Sequence, residues 1–252
     1  MPSSIRRLLP GQQLLFDTLL AKALGPNAKR APSREAARAR YGTLSFHLDP
    51  SRLTSLVRDR TPTGFGDTIL AHGFCLRTDL HAQSLARDRS GVHHEMRDLV
   101  DLRDGYRDGH AYRACLTAIE RGHPLTRNGI VLSDRATIDR YFDHYLRVLR
   151  SIERDGYRRH EDVRERLIWN DDSRNRHSGE IGVAIAADGA FVRCMAGHHR
   201  ASLAALLGIP SVPVSLRAAH VNWLRDLAGD DARRAGKVLA TWLDARRDAP
   251  MS

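Results

Sequence analysis

Residues 181–214 read IGVAIAADGAFVRCMAGHHRASLAALLGIPSVPV, and this segment gives the clearest indication of the fold. Large apolar residues alternate with small ones over 181–185, which predicts a β-strand. Asp188-Gly189 is a two-residue hairpin signal, so residues 191–195 are predicted to return as a second strand. The chain is therefore expected to form a β-hairpin here.

An abrupt break follows the predicted hairpin. Gly197-His198-His199-Arg200 leads directly into a run of small residues, 201–207, which predicts a helix. Gly208 and Pro210 are predicted to end this helix. Residues 212–216 then predict a third strand, in which Pro213 suits an edge or a strand start.

The strand–turn–helix unit has a direct chemical interpretation. Gly197 allows a sharp turn and the close approach of a ligand. The first amides of the following helix lack intrahelical acceptors, and with the helix dipole they favour an anion. Arg200 adds a planar fork suited to phosphate, while His198 and His199 supply hydrogen-bonding or proton-transfer groups. A tight turn with merely solvated polar residues is the alternative, and the residues alone leave both open.

The run from Met195 to Val214 resembles the central motif of the ParB/sulfiredoxin-like fold. That superfamily includes the N-terminal domain of ParB partition proteins, sulfiredoxin and small-molecule kinases such as free-serine kinases. Its pattern is a strand, Gly-x-[His/Arg]-Arg at a helix start, a small-residue helix, Gly and a "vPV" strand. The resemblance covers residues 138–220 and implies that Gly197, His198, His199 and Arg200 hold the phosphates of a nucleotide.

Two departures limit what the resemblance implies. Sulfiredoxin has a cysteine where this chain has His198, and Cys194 falls on a strand, so sulfinic-acid repair is not expected. Partition proteins continue into DNA-binding and dimerisation domains, whereas this chain of 252 residues has only 36 after Leu216. A partition role is therefore disfavoured unless the N-terminal half supplies the DNA-binding part.

Helical periodicity is clearest outside this stretch between Ser133, a predicted cap, and Gly156. Two amphipathic helices, 219–228 and 231–246, are predicted to follow the last strand. Asp49-Pro50 is predicted to open a helix that carries Leu53, Leu56 and Val57, and residues 67–131 give no clear assignment.

These patterns predict an α/β (or α+β) protein. Its small mixed sheet with flanking helices is ParB/sulfiredoxin-like by resemblance, and a helix-rich N-terminal extension precedes it. The expected divisions are residues 1–41, an N-terminal helix and linker; 42–132, a mixed, helix-rich extension; and 133–252, the ParB/sulfiredoxin-like domain with its C-terminal helices.

Acidic residues near the motif are candidates for phosphoryl-transfer chemistry. Glu180 precedes the first strand, where a carboxylate would orient or deprotonate an acceptor hydroxyl. Asp171 and Asp172 have the carboxylates that Mg²⁺ prefers. Each also fits a simpler interpretation as a solvated residue.

Three further residues are candidate ligand contacts. Arg217 and His220 follow the predicted third strand and are expected near the same strand ends as the turn. Ser202 would donate its hydroxyl to phosphate or serve as a small residue packed near the helix start.

Charge leaves the class of partner open. The chain has 40 Lys and Arg against 30 Asp and Glu, a net charge of +10. Only three of the basic residues are lysines, which is typical of a GC-rich genome, but a functional basic surface would give the same count. No apolar run is long enough to span a bilayer, and three scattered cysteines favour a reducing cytoplasm.

The leading hypothesis is a nucleotide-binding protein (ATP, ADP or CTP, with Mg²⁺) that acts as a kinase-like phosphotransferase or nucleotide hydrolase. His198 or His199 and Glu180 would be catalytic, and the acceptor would be a small molecule or a protein. The alternative is a non-enzymatic DNA-binding or regulatory protein that uses the arginine-rich surface.

Overall fold

A computed structural model describes residues 44–57, 74–76, 79–127, 130–159, 180–229, 231 and 234–247. In these ranges the protein is mixed α/β, as predicted, with a seven-stranded mixed sheet and a separate two-stranded sheet. The strands are β1 (Ser45–Leu48), β2 (Ser55–Val57), β3 (Cys75–Leu76), β4 (Ser84–Ala86), β5 (Thr126–Arg127), β6 (Ile130–Val131), β7 (Ile181–Ile185), β8 (Phe191–Arg193) and β9 (Val212–His220).

Six α-helices lie in the same ranges. They are α1 (Gly91–Leu102), α2 (His110–Glu120), α3 (Arg135–Asp155), α4 (His198–Leu206), α5 (Val221–Ala228) and α6 (Ala235–Arg247). Short 3₁₀ helices occupy Pro50–Arg52, Arg87–Arg89 and Arg103–Asp108. Within the described ranges, every helix is too short or too polar to cross a membrane.

The β7–β8 hairpin is confirmed and lies inside the large sheet. The strand order is β1-β9-β7-β8-β2-β4, and β3 pairs with the end of β9. β7 is antiparallel to β8 and parallel to β9. The chain therefore leaves β8 at the end of the sheet where β7 and β9 begin.

The two faces of this sheet bury different side chains. Ile181, Val183 and Ile185 belong to the large apolar cluster, to which all six helices contribute. Ala184 points to the opposite face, in a smaller cluster with Val192 and other residues. This alternation follows from the pleat of a strand, whose successive side chains point to opposite faces.

Two predicted element boundaries are wrong. The helix predicted after Asp49-Pro50 is a single 3₁₀ turn, capped by Asp49, and β2 follows it because the next residues pair with β4 and β8. The cap of α3 is Asp134 rather than the predicted Ser133. Its Oδ1 accepts a hydrogen bond from the Thr137 amide at 2.7 Å.

The third predicted strand is also longer than predicted. β9 continues past Leu216 to His220, and all nine of its residues are buried. Its early part pairs with β1, and β8 pairs with β2, so strands from residues 42–132 and from residues 133–252 share one sheet. The N-terminal helix and linker predicted for 1–41 lie outside the described residues.

Candidate functional site

The turn between β8 and α4 is tied to the beginning of β7. Two residues of the turn have left-handed backbones, Met195 with φ 63° and Gly197 with φ 80°. The Gly182 amide donates to the Ala196 carbonyl at 3.1 Å. A Cβ atom on Gly197 would lie 2.7 Å from the Ile181 Cα atom. Gly197 is therefore required by its own conformation and by close packing against β7.

The helix that follows begins without a side-chain cap. α4 starts at His198, and Gly197, at its N-cap position, has no side chain to bond the first amides. His198, His199 and Arg200 thus form the first helical turn rather than a loop before it. Amides at this position favour a bound anion.

His199 is enclosed by the aromatic side chains of α3. Its ring stacks on Tyr145 with centroids 3.9 Å apart, and its Nε2 lies 2.7 Å from the Tyr141 hydroxyl oxygen. The Tyr141 hydroxyl donates to Glu95 Oε2 at 2.6 Å. Since that hydroxyl has one proton, it accepts from His199, whose neutral ring therefore has its proton on Nε2.

Glu95, in α1, completes this buried chain of polar groups. It is 2% exposed, and its Oε1 accepts a hydrogen bond from Arg127 Nε at 2.7 Å. The polar chain Arg127–Glu95–Tyr141–His199 therefore joins β5, α1, α3 and the first turn of α4. None of the four members except His199 was predicted as a site residue.

His198 lies on the side of α4 that faces the N-terminus of α1. Its Nε2 is 3.3 Å from the Ser90 hydroxyl oxygen. Burial, and then the nearby Arg193 guanidinium, lower the pKa of His198 to about 2. The ring is therefore neutral at physiological pH and can donate or accept a hydrogen bond there.

Other histidines around the turn are also kept neutral. Burial lowers the pKa of His199 well below its usual value, with Arg127 adding to the effect. Burial, followed by Arg87 and Arg97, lowers the pKa of His93 to about 4. Arg193 and Arg127 thus both favour the neutral form of the two histidines in the first turn of α4.

The charges of Arg200 and Glu180 both influence a residue that the sequence did not single out. This residue is Tyr157, just after α3; it is 7% exposed, and burial raises its pKa to about 12. The charges of Arg200 and Glu180 both act on its hydroxyl, which has no hydrogen-bond partner among the described residues.

Arg217 and His220 do not follow the third strand, contrary to the prediction, because β9 continues through both. Arg217 is the extra residue of a bulge inside β9, between Leu216 and Ala218, and it is fully buried. Its Cγ lies near Gly182, on the sheet face opposite Ile181 and Val183.

His220 ends β9 at the far end of the sheet. Its Nδ1 accepts a hydrogen bond from the Asn222 amide at 3.1 Å, which makes it the cap of α5. The prediction failed because β8 runs antiparallel to β9, so the two strands finish at opposite ends of the sheet.

The remaining predicted residues have simpler outcomes. Ser202 is 2% exposed, inside the packed side of α4. Asp171 and Asp172 lie outside the described residues. Where the structure describes the chain, it contains no group of three or more His, Cys, Asp or Glu side chains that could hold a metal ion.

Glu95 and His93 had a weak signal in the sequence, the run His93-His94-Glu95. Tyr141 had a strong signal, but one typical of an apolar core position in α3.

Comparison with known protein families, curated proteins and solved structures finds no match to this chain.

Proposed function

We propose that the protein binds the phosphate groups of a nucleotide at the N-terminus of α4 and acts as a phosphotransferase or nucleotide hydrolase. The observation that carries the proposal is the uncapped first turn of α4 within the positive potential of Arg193 and Arg200. A bound phosphate would accept hydrogen bonds from the amides and lower that potential. The resemblance to the ParB/sulfiredoxin-like fold points the same way.

The predicted residues of the turn, together with Glu180, have defined parts in this proposal. The first amides of α4 and the Arg200 guanidinium bind phosphate oxygens and stabilise the charge that develops in transfer. His198, which is neutral, adds a hydrogen bond. Glu180 orients the acceptor hydroxyl or water. His199 positions the turn, because its ring is enclosed by Tyr141 and Tyr145.

Mg²⁺ commonly accompanies such chemistry by neutralising charge on phosphate oxygens. Its predicted ligands, Asp171 and Asp172, lie outside the described residues, so we assign no step to the metal.

Thermal unfolding with ATP, ADP, CTP and GTP, each with and without Mg²⁺, tests the proposal. A nucleotide at 100 times its Kd should stabilise the native protein by about 2.7 kcal/mol. Arg200→Ala should abolish this stabilisation. Arg150→Ala should retain the stabilisation. This control removes the same charge from α3, where Arg150 forms an exposed ion pair with Asp104. If no nucleotide stabilises the native protein, the proposal is wrong.

A second candidate, binding to DNA, is favoured by a basic groove on α2. His110, Arg113 and Arg121 are exposed along one helical face, and with His123 they line an open groove of about 490 Å³. No carboxylate belongs to the described lining of this groove. Arginines spaced along a helix suit contacts to successive phosphates.

Salt dependence separates the two candidates. Binding of duplex DNA through α2 should weaken steeply as salt increases, and Arg113→Ala with Arg121→Ala should reduce the slope by about two. Nucleotide binding at α4 should be unaffected by the same pair of substitutions.

A further inference from the structure

The N-termini of α1 and α4 lie beside each other. Ser90 occupies the N-cap position of α1, and its hydroxyl oxygen is 3.3 Å from Nε2 of His198, the first residue of α4. A serine at this position usually bonds the first amides of its own helix, but Ser90 makes no such bond. The first turns of both helices also lack an acidic side chain. Two helix ends with unsatisfied amides thus meet at one place.

His93, the third residue of α1, has a buried N–H group that lacks an acceptor. Its Nε2 lies 3.2 Å from Arg97 Nη2, and because an arginine can only donate, Nε2 accepts. Burial keeps the ring neutral by lowering its pKa to about 4, so the single ring proton is on Nδ1. Nδ1 is buried and has no hydrogen-bond partner in the described part of the chain. Burial of such a donor is unfavourable unless something accepts from it.

The carboxylates around His93 do not supply this acceptor. Glu95 is the one buried carboxylate within the described ranges, and both of its oxygens are engaged, Oε1 by Arg127 and Oε2 by Tyr141. Asp88, whose charge also acts on His93, is exposed and makes no hydrogen bond to Nδ1. A bound ligand would supply the missing acceptor.

An anion would satisfy both the helix end and the histidine. Phosphate oxygens accept hydrogen bonds from helix amides, from a hydroxyl and from an imidazole N–H at once. Gly91, the first residue of α1, is exposed, and His198 and Arg200 of α4 are partly exposed, so a ligand can reach both helix ends from solvent. Because Ser90 contacts His198, a phosphate at α1 would be adjacent to one at α4.

We propose that the N-terminus of α1 is a second phosphate-binding position, where His93 Nδ1 and the Ser90 hydroxyl donate to the phosphate next to the one bound at α4. The inference rests on the proposed function and specifies its ligand as one with two linked phosphate groups. Free pyrophosphate and a nucleoside diphosphate or triphosphate share this chemistry, whereas a monophosphate fills only one position.

Calorimetric titrations of the full chain with phosphate, pyrophosphate, AMP, ADP, CMP and CDP test the second position. The native protein should bind a diphosphate about a hundredfold or more tightly than the matching monophosphate. His93→Phe and Ser90→Ala should each reduce this ratio about tenfold, as for loss of a hydrogen bond to a charged group, and leave monophosphate affinity unchanged. Arg200→Ala should weaken both ligands alike. Tight binding of pyrophosphate would make linked phosphates sufficient, whereas binding of ADP or CDP only would identify a nucleotide.

His93→Asn and His94→Phe are the matched controls. An asparagine amide can place an N–H group where Nδ1 lies, so His93→Asn should recover part of the ratio. His94 is the next residue of α1 and is exposed, so His94→Phe should keep the native ratio. The Tm of unliganded His93→Phe should be close to that of the native protein, because the lost Nδ1–H group has no partner and Arg97 is exposed to water.

Four results would overturn the inference. Equal affinity of the native protein for monophosphates and diphosphates, or a ratio unchanged in both His93→Phe and Ser90→Ala, would remove α1 from the site and leave the proposed function intact. A His93→Phe protein that is far less stable than the native protein would mean that Nδ1 has a partner within the chain. Failure of the native protein to bind any probe would end the inference and the proposed function together.

Discussion

Gly197 meets two separate demands at one position. Its φ of 80° is strained for any residue with a side chain, and a Cβ atom would lie 2.7 Å from Ile181 Cα. The second demand involves backbone, which cannot rotate away as a side chain can. The turn that presents α4 therefore depends on the absence of a Cβ atom.

Gly197→Ala should lower the free energy of unfolding by about 3 kcal/mol or more, measured by urea denaturation. Gly208→Ala is its control, because Gly208 has a φ of 65° but no atom within 4 Å of the added Cβ. The control should lose only about 1–2 kcal/mol, the cost of the left-handed backbone. Equal losses in the two variants would contradict the role of packing against Ile181.

Arg217 is the reason that β9 was predicted to end too early, at residue 216 rather than at His220. The sequence from 217 to 220 continues the buried strand with an arginine at the bulge, and a bulge redirects the side chain it carries. Gly182 leaves room for that side chain, since a Cβ atom there would lie 3.2 Å from Arg217 Cγ. Because arginine is rarely buried, the sequence predicts that the strand ends before Arg217.

At the scale of elements, Tyr141 and Glu95 hold three helices together. Tyr141, in α3, bonds both Glu95 of α1 and His199 of α4. Arg127 balances the Glu95 carboxylate from β5 with a closest N–O distance of 2.6 Å. The orientation of the first turn of α4 is thereby linked to helices far from it in the chain.

Glu95→Gln should be strongly destabilising, because it leaves a largely buried guanidinium without its counter-charge. We expect a loss of about 3–5 kcal/mol in the free energy of unfolding, read from denaturant titration. Glu153→Gln removes the partner of Arg103 in an exposed ion pair and should cost no more than about 1 kcal/mol. A similar small cost for both would show that the polar chain adds little stability.

The elements that could be predicted are those with one dominant signal. The β7–β8 hairpin has an Asp-Gly turn between alternating strands, and α3 has apolar residues at three- and four-residue steps, and both are confirmed. α1 was missed because its buried side includes His93 and Glu95, which obscure an apolar pattern.

The candidate site was predictable only in part, for a related reason. Gly197–Arg200 is contiguous in sequence and has a recognisable pattern. Glu95 and Tyr141 reach it through tertiary packing, and no local pattern records which helices will meet.

At the scale of the whole molecule, buried neutral histidines make stability depend on pH. Burial lowers the pKa of His198 to about 2 and the pKa values of His93 and His144 to about 4, and that of His199 falls well below its usual value. In the unfolded chain these histidines take up protons below about pH 6.5. The unfolded state then binds more protons, so stability is lost as pH falls through this range.

The free energy of unfolding should therefore decline between pH 6.5 and about 4.5, before carboxylates contribute. Each buried histidine adds about 1.4 kcal/mol per pH unit to the slope. His198→Gln should reduce the slope by about that amount. His110→Gln should leave it unchanged, because the His110 ring is exposed on α2. A flat profile over this range would contradict the assignment of these histidines as neutral.

The strand order also governs when the protein can fold during its synthesis. Ser45 of β1 pairs with Ser215 of β9, 170 residues later. At about 5–20 residues per second, a ribosome needs on the order of ten to thirty seconds to supply that partner. Until then β1 and β2 lack the strands that separate them in the finished sheet, so the nascent chain exposes apolar strand residues such as Phe46 and Leu56. We expect this interval, rather than the stability of the finished fold, to set its need for chaperones.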